Sequence, residues 1–86
     1  MQPGFLVTGK PTSNSHVACF RMYSTSKKVF FDRETGEVLG ANVVDKFYHG
    51  ETGIVIDVDV AESKVCVLGP RGLTGWLRME NVQVVP

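Results

Sequence analysis

The 86-residue chain has little cysteine, no net charge and no long apolar run, and each shortage argues against a class of protein. Two cysteines, Cys19 and Cys66, are too few and too widely spaced for the disulfide framework of a small secreted domain. They read as reduced, buried thiols. Nine basic residues cancel nine acidic ones, so there is no bulk cationic field of the kind a dedicated nucleic-acid binder uses. No apolar stretch approaches the roughly eighteen residues of a transmembrane span, and no basic-then-apolar leader follows Met1. A cytoplasmic protein without a membrane role is expected. The glycine-bearing stretch His49-Gly50-Glu51-Thr52-Gly53 lacks the Lys-Ser/Thr pair of a phosphate loop and reads as a turn.

What is present is an ordinary globular composition. The hydrophobic share of 43% is too high for a disordered chain, and the length allows one domain spanning residues 1–86 with no second core. Charge is unevenly placed. Residues 1–28 carry Lys10, Arg21, Lys27 and Lys28 without an acid. Residues 29–62 carry eight acids, from Asp32 to Glu62, against Arg33 and Lys46. Such a division is either a solvated dipolar surface or a patch that faces a partner.

The apolar pattern is that of short strands. Glycine opens a β-rich run at 53–60, the polar turn 61–64 separates it from a second run at 65–68, and Gly69-Pro70-Arg71-Gly72 turns the chain into a third run at 73–77. The chain closes with Val82–Val85. Strands at this spacing, joined by short turns, describe a small antiparallel barrel or meander. Upstream, Phe5–Thr8 is a short strand and 9–15 a loop. Residues 16–23 are a strand candidate with Phe20 and Met22 on one face and Cys19, Arg21 and Tyr23 on the other. Residues 28–39 form a hairpin whose turn Gly36 closes in the left-handed conformation. Residues 41–48 fit either a helical turn capped by Asn42 or an irregular strand.

From Gly72 to Val82 the chain reads Gly-Leu-Thr-Gly-Trp-Leu-Arg-Met-Glu-Asn-Val, which resembles the closing segment of SH3 domains. There, G-x-x-G and two large residues lead into a short 3₁₀ turn before the last strand; here Met79–Asn81 would supply that turn. The stretch Gly53-Ile54-Val55-Ile56-Asp57 resembles the glycine-led strand of KOW motifs. Together these make residues 50–86 similar to the small SH3-like barrel proteins encoded by tailed bacteriophages. The resemblance implies an all-β SH3-like antiparallel barrel, its core mainly in 50–86, elaborated by residues 9–49 and their hairpin. It also implies that Leu77 and Val82 face the core and Trp76 faces outward. The SH3 positions that grip proline-rich peptides are Arg78, Glu80 and Asn81 here, so that mode of recognition is not expected. Asp57 and Asp59 stand where a KOW surface would carry cations.

Few residues form a chemical constellation. His16, Cys19, His49 and Cys66 do not make the two tight pairs of a zinc site, and no oxyanion or orienting motif accompanies a Cys-His pair. Asp57 and Asp59 share a strand face but read as edge charges that discourage strand pairing. No enzyme, metal or cofactor is expected. Aromatic residues accompanied by arginine are typical of contact hot spots, so Tyr23, Phe47, Tyr48, Trp76, Arg71 and Arg78 are the candidate partner-binding residues, set against the plainer reading that about half of the aromatics are core. The expected role is a protein–protein interaction or assembly module working with a protein partner or by self-association. The alternative is a KOW-like nucleic-acid accessory that uses the acid-free N-terminal segment, with weak affinity.

Overall fold

Apolar residues at every second position bend this chain into sheet. The computed structural model describes residues 1–10, 19–27, 30–31, 34, 38–39 and 42–86. In chain order the strands are β1 (Leu6–Gly9), β2 (Cys19–Tyr23), β3 (Phe30–Phe31), β4 (Val38–Leu39), β5 (Val43–Tyr48), β6 (Thr52–Asp59), β7 (Lys64–Leu68), β8 (Thr74–Arg78) and β9 (Val82–Val84). A 3₁₀ turn at Met79–Asn81 links β8 to β9, where the glycine-led pattern placed it. The seven-stranded sheet runs β5-β2-β8-β7-β6-β1-β9, and its pairings are all antiparallel. The domain is therefore all-β, and its order and 3₁₀ turn are compatible with an SH3-like barrel. The hairpin of β3 and β4 pairs Phe30 with Leu39 and Phe31 with Val38 as a separate ribbon; Gly36 lies outside the described residues. Residues 43–48, open between helix and strand in the sequence, are the edge strand β5, where Val43 and Val44 contribute the β-branched side chains that favour a pleated backbone.

The sheet coils without closing. Among the described residues β5 and β9 are its edges, so the ladder does not run around a complete barrel. Two glycines permit the curl. A methyl group at Gly53 of β6 would lie 2.4 Å from Val67 Cγ1 and 3.4 Å from Phe47 Cε1, although Phe47 belongs to β5, four places away in the sheet. At Gly75 of β8 it would lie 2.6 Å from Met22 Cβ and 2.9 Å from Val44 Cγ2. Only a residue without a side chain lets these strands approach so closely. The enclosed core is Val7, Met22, Phe47, Val55, Val65, Val67, Leu77 and Val82, with Phe20, Val58 and Met79 packed against it. Leu77 is 2% exposed and Val82 4%, while Trp76 between Gly75 and Leu77 faces the other way and is half-buried, as the alternation of a strand requires.

Strict alternation along β6 would turn Asp57 and Asp59 inward with Val55. A β-bulge between Val55 and Asp57 prevents this: Val55 pairs with Val67, Asp57 with Cys66, and Ile56 is the extra residue. The bulge reverses the phase, so that Val58 packs on the core and Asp57 is exposed. The aspartates do stand on a free edge: β1 pairs with β6 only over Thr52–Ile54, so at Asp57 and Asp59 the strand is paired to β7 alone among the described residues. Asp59 also holds local structure. Its carboxylate accepts a 2.6 Å bond from the buried Ser26 hydroxyl and a 3.2 Å bond from the Glu62 N–H in the next turn. These bonds, Ser26 first, hold Asp59 below the usual carboxylate range.

Candidate functional site

Strands β2 and β8 share a single register pair, Tyr23 with Trp76. Beyond that pair they part, and a cleft of about 570 Å³ opens between them. Its described lining is Cys19, Phe20, Arg21 and Tyr23 from β2, Thr25 from the following loop, Lys64 from β7, Trp76, Leu77 and Arg78 from β8, and Asn81 from the 3₁₀ turn. The chemistry is layered by strand geometry. Phe20 and Leu77 belong to the core side, so the cleft reaches down to packed apolar groups. Tyr23 and Trp76 are on the opposite face, directly across from each other, at the spacing where aromatic pairs contribute about 0.2–1 kcal/mol. Arg21 and Arg78 follow two residues away on the same faces, both exposed, with Lys64 registered opposite Arg78.

The cleft is electropositive. None of the described lining residues is acidic. Among the described residues Arg21 and Lys64 have no ion pair, and Arg78 meets only Glu80 at 3.6 Å, with both side chains about 70% exposed, a contact that contributes little in water. The three cations line an aromatic-walled cleft, and two of them, Lys64 and Arg78, also border a neighbouring groove that carries Glu62 and Glu80.

The six candidate residues separate into three groups. Tyr23, Trp76 and Arg78 come together in the cleft. Phe47 does not: it is fully buried, a core residue with no surface to offer, because β5 turns it inward opposite Phe20. Arg71 and Tyr48 form a separate cluster on the sheet edge. From the β7–β8 turn, the Arg71 guanidinium donates through Nε to Asp45 Oδ2 at 2.9 Å, through Nη1 to Glu51 Oε2 at 2.7 Å, and through Nη2 to Glu51 Oε1 and the Lys46 carbonyl oxygen. Its Cζ lies 5.5 Å from the centre of the Tyr48 ring, a cation–π distance. The planar fork of donors is thus spent inside the molecule, tying the β7–β8 turn to edge strand β5 and to the β5–β6 turn. Glu51, which also accepts the Tyr48 N–H at 2.7 Å, is held below the usual carboxylate range, chiefly by Arg71. Asp45 is lowered too, first by the Lys46 N–H and then by Arg71. Arg71 is a clip, set apart from the cleft on the sheet edge, with its side chain still 41% exposed.

Arg21, named in the sequence only as one cation of the acid-free N-terminal segment, and Lys64, not singled out at all, are cleft residues. Arg21 carried a readable signal, since it shares a strand face with Tyr23 and lies opposite the core residue Met22. Lys64 carried none, because its place depends on the register between β7 and β8. The thiols divide as well. Cys66 is buried, and burial followed by the Asp57 charge pushes its pKa up, so it is a poor nucleophile. Cys19 lines the cleft and is half-buried. His49 is an exposed turn residue, and His16 lies outside the described residues. Among the described residues no helix is long and apolar enough to cross a membrane. Comparison with protein-family models, curated proteins and solved structures finds no match to the chain in any of the three.

Proposed function

We propose that this protein is a non-enzymatic interaction or assembly module that contacts a protein partner through the β2–β8 cleft. The observation that carries the proposal is the convergence of Tyr23 with Trp76 and Arg78, more than fifty residues further along the chain, on one concave surface floored by Phe20 and Leu77. Buried or half-buried aromatics beside arginine are the residue types that dominate binding energy at interfaces. The closing-segment resemblance and the 3₁₀ turn support an SH3-like barrel of the phage-encoded kind, acting in a host cytoplasm or within a virion. The contact surface differs from that of SH3 domains, because the proline-peptide positions are Arg78, Glu80 and Asn81.

Selection of a random peptide library on the immobilised protein tests this reading. Retained peptides should lose binding to Trp76→Ala and Tyr23→Ala and keep it on Val60→Ala, a change at a 78% exposed turn residue. Circular dichroism would show that each variant is folded. Failure to enrich any peptide, or enrichment indifferent to Tyr23 and Trp76, would overturn the proposal. A second reading, a nucleic-acid accessory, is favoured by one observation: Arg21, Lys64 and Arg78 surround a pair of aromatic rings on which bases could stack. Steep salt dependence of oligonucleotide retention would mark it.

A further inference from the structure

We infer that the ligand of the β2–β8 cleft is an extended acidic peptide segment carrying an apolar side chain, which adds along the free edge of β2 at Cys19–Arg21. The inference rests on the reading of the cleft as a protein-docking surface and specifies what docks there.

Three features converge on this ligand. The first is charge: Arg21, Lys64 and Arg78 line a cleft with no acid among its described lining residues, in a molecule whose total charge is zero. Such a local surplus selects for carboxylates and raises the rate at which an acidic segment arrives. The second is depth. Phe20 and Leu77 at the floor and Tyr23 and Trp76 at the walls form an apolar slot, which a purely charged ligand would leave wetted and unfilled. One apolar or aromatic side chain among the carboxylates fits it, in the way that anchors fill pockets at interface centres.

The third is the backbone. On one side β2 is laddered to β5 from Cys19 to Tyr23. On the other it meets β8 only at Tyr23, so the edge at Cys19, Phe20 and Arg21 has no strand partner among the described residues. An unpaired edge lined by pockets for alternate side chains is the geometry of strand addition, in which the main chain supplies affinity and the side chains supply specificity. A nucleic acid can use the charges and the rings, but it has no amide ladder to offer this edge. It would also run out of cations quickly. The neighbouring groove that shares Lys64 and Arg78 is lined by Glu62 and Glu80, and Asp57 stands two strands beyond Trp76, opposite Cys66. A short acidic segment ends before these groups, whereas a phosphate chain continues into them.

The test uses three fluorescent probes in anisotropy titrations on the full chain: a peptide of glutamates flanking a phenylalanine, the same peptide with lysine for every glutamate, and oligothymidylate. The glutamate peptide should bind, and the lysine peptide should not. Arg21→Glu combined with Arg78→Glu, both exposed positions that the fold does not need, should weaken the glutamate peptide about tenfold or more. Methylating alternate backbone nitrogens of that peptide should weaken it by a similar factor of about ten, because methylated nitrogens cannot donate to a strand edge. Oligothymidylate binding as tight as, or tighter than, that of the glutamate peptide would assign the cleft to nucleic acid and overturn the inference. So would equal binding of the methylated peptide, which would remove strand addition. If the glutamate peptide fails while library-selected peptides still bind through Trp76, the acidic class is wrong and the docking surface stands. If neither binds, both readings fall.

Discussion

Gly53→Ala is the substitution that most sharply tests how the sheet curls. The added methyl would sit 2.4 Å from Val67 Cγ1 and 2.9 Å from the Leu68 carbonyl oxygen. Neither neighbour can retreat cheaply. Val67 is fully buried and stiff at χ1, and Leu68 is held in the β6–β7 ladder opposite Ile54. Relief needs about 1 Å of separation between two paired strands, and overpacking of this kind costs about 1–3 kcal/mol. Alanine also reduces the freedom of the unfolded chain, which returns about 0.4–1 kcal/mol. The clash wins, with a net loss of about 1–2 kcal/mol, or about 5–15 °C in Tm for a domain of this size. Gly9→Ala is the matched control. Gly9 is also a buried strand glycine, but there the methyl would meet its nearest neighbours at 3.6–3.8 Å, ordinary contact distance, so the entropic gain should leave Tm unchanged or slightly raised. Thermal melts of both variants by circular dichroism decide the matter. If Gly53→Ala melts at or above the parent, strands β5, β6 and β7 do not meet as described, and the curled core is wrong.

Three further outcomes follow from the same contacts. Leu77→Ala should cost about 2–5 kcal/mol, a large part of the stability of so small a domain, while Trp76→Ala on the outer face should cost folding less; the reverse order in urea denaturation would put β8 in the opposite register. Acid should destabilise the protein: Asp45, Glu51 and Asp59 all have lowered pKa values in the folded state, so their contribution is present above their ordinary values of 3.8 and 4.5 and is lost as pH falls through the folded ones. Ser26→Ala should flatten that acid limb of a Tm-against-pH curve, and an unchanged limb would remove the Ser26–Asp59 bond from the account. Arg71→Lys should lower Tm and speed amide exchange in β5, since an ammonium cannot serve Asp45, Glu51 and the Lys46 carbonyl at once; exchange in β5 equal to that of the parent would show that the clip does not hold the edge strand.

Sequence and structure agree where the physics is local. The turns after β6 and after β7 were legible because glycine, proline and polar clusters act over a few residues, whereas the 3₁₀ turn at Met79–Asn81 was legible through the likeness of the closing segment to SH3 domains. That Trp76 and Leu77 face opposite ways was legible because alternation is rigid in a strand; which of them turns inward came from the likeness of the closing segment to SH3 domains. The bulge at Ile56 was not: nothing in Gly-Ile-Val-Ile-Asp-Val-Asp marks which residue is skipped, and the cost of burying Asp57 and Asp59 appears only once β7 is opposite. Residues 41–48 were undecidable because Val43-Val44 favours strand while Asn42 favours a cap, and pairing with β2 settled the contest. The candidate site was half legible. Composition identified Tyr23, Trp76 and Arg78, but it could not separate them from Phe47, which packing buries, or from Arg71, which three acceptors consume. Lys64 entered the site through strand register alone.

Trp76 is the chain's one tryptophan, so its own fluorescence reports on the cleft directly. Emission should be followed while a peptide selected on the protein is titrated in, with binding measured in parallel by anisotropy of a label on the peptide. If the β2–β8 cleft is the contact surface, the indole emission shifts to the blue and saturates at the same midpoint as the anisotropy, because an incoming side chain displaces water from the ring. Saturable anisotropy with an unmoved Trp76 spectrum would place the contact elsewhere on the molecule and contradict the account.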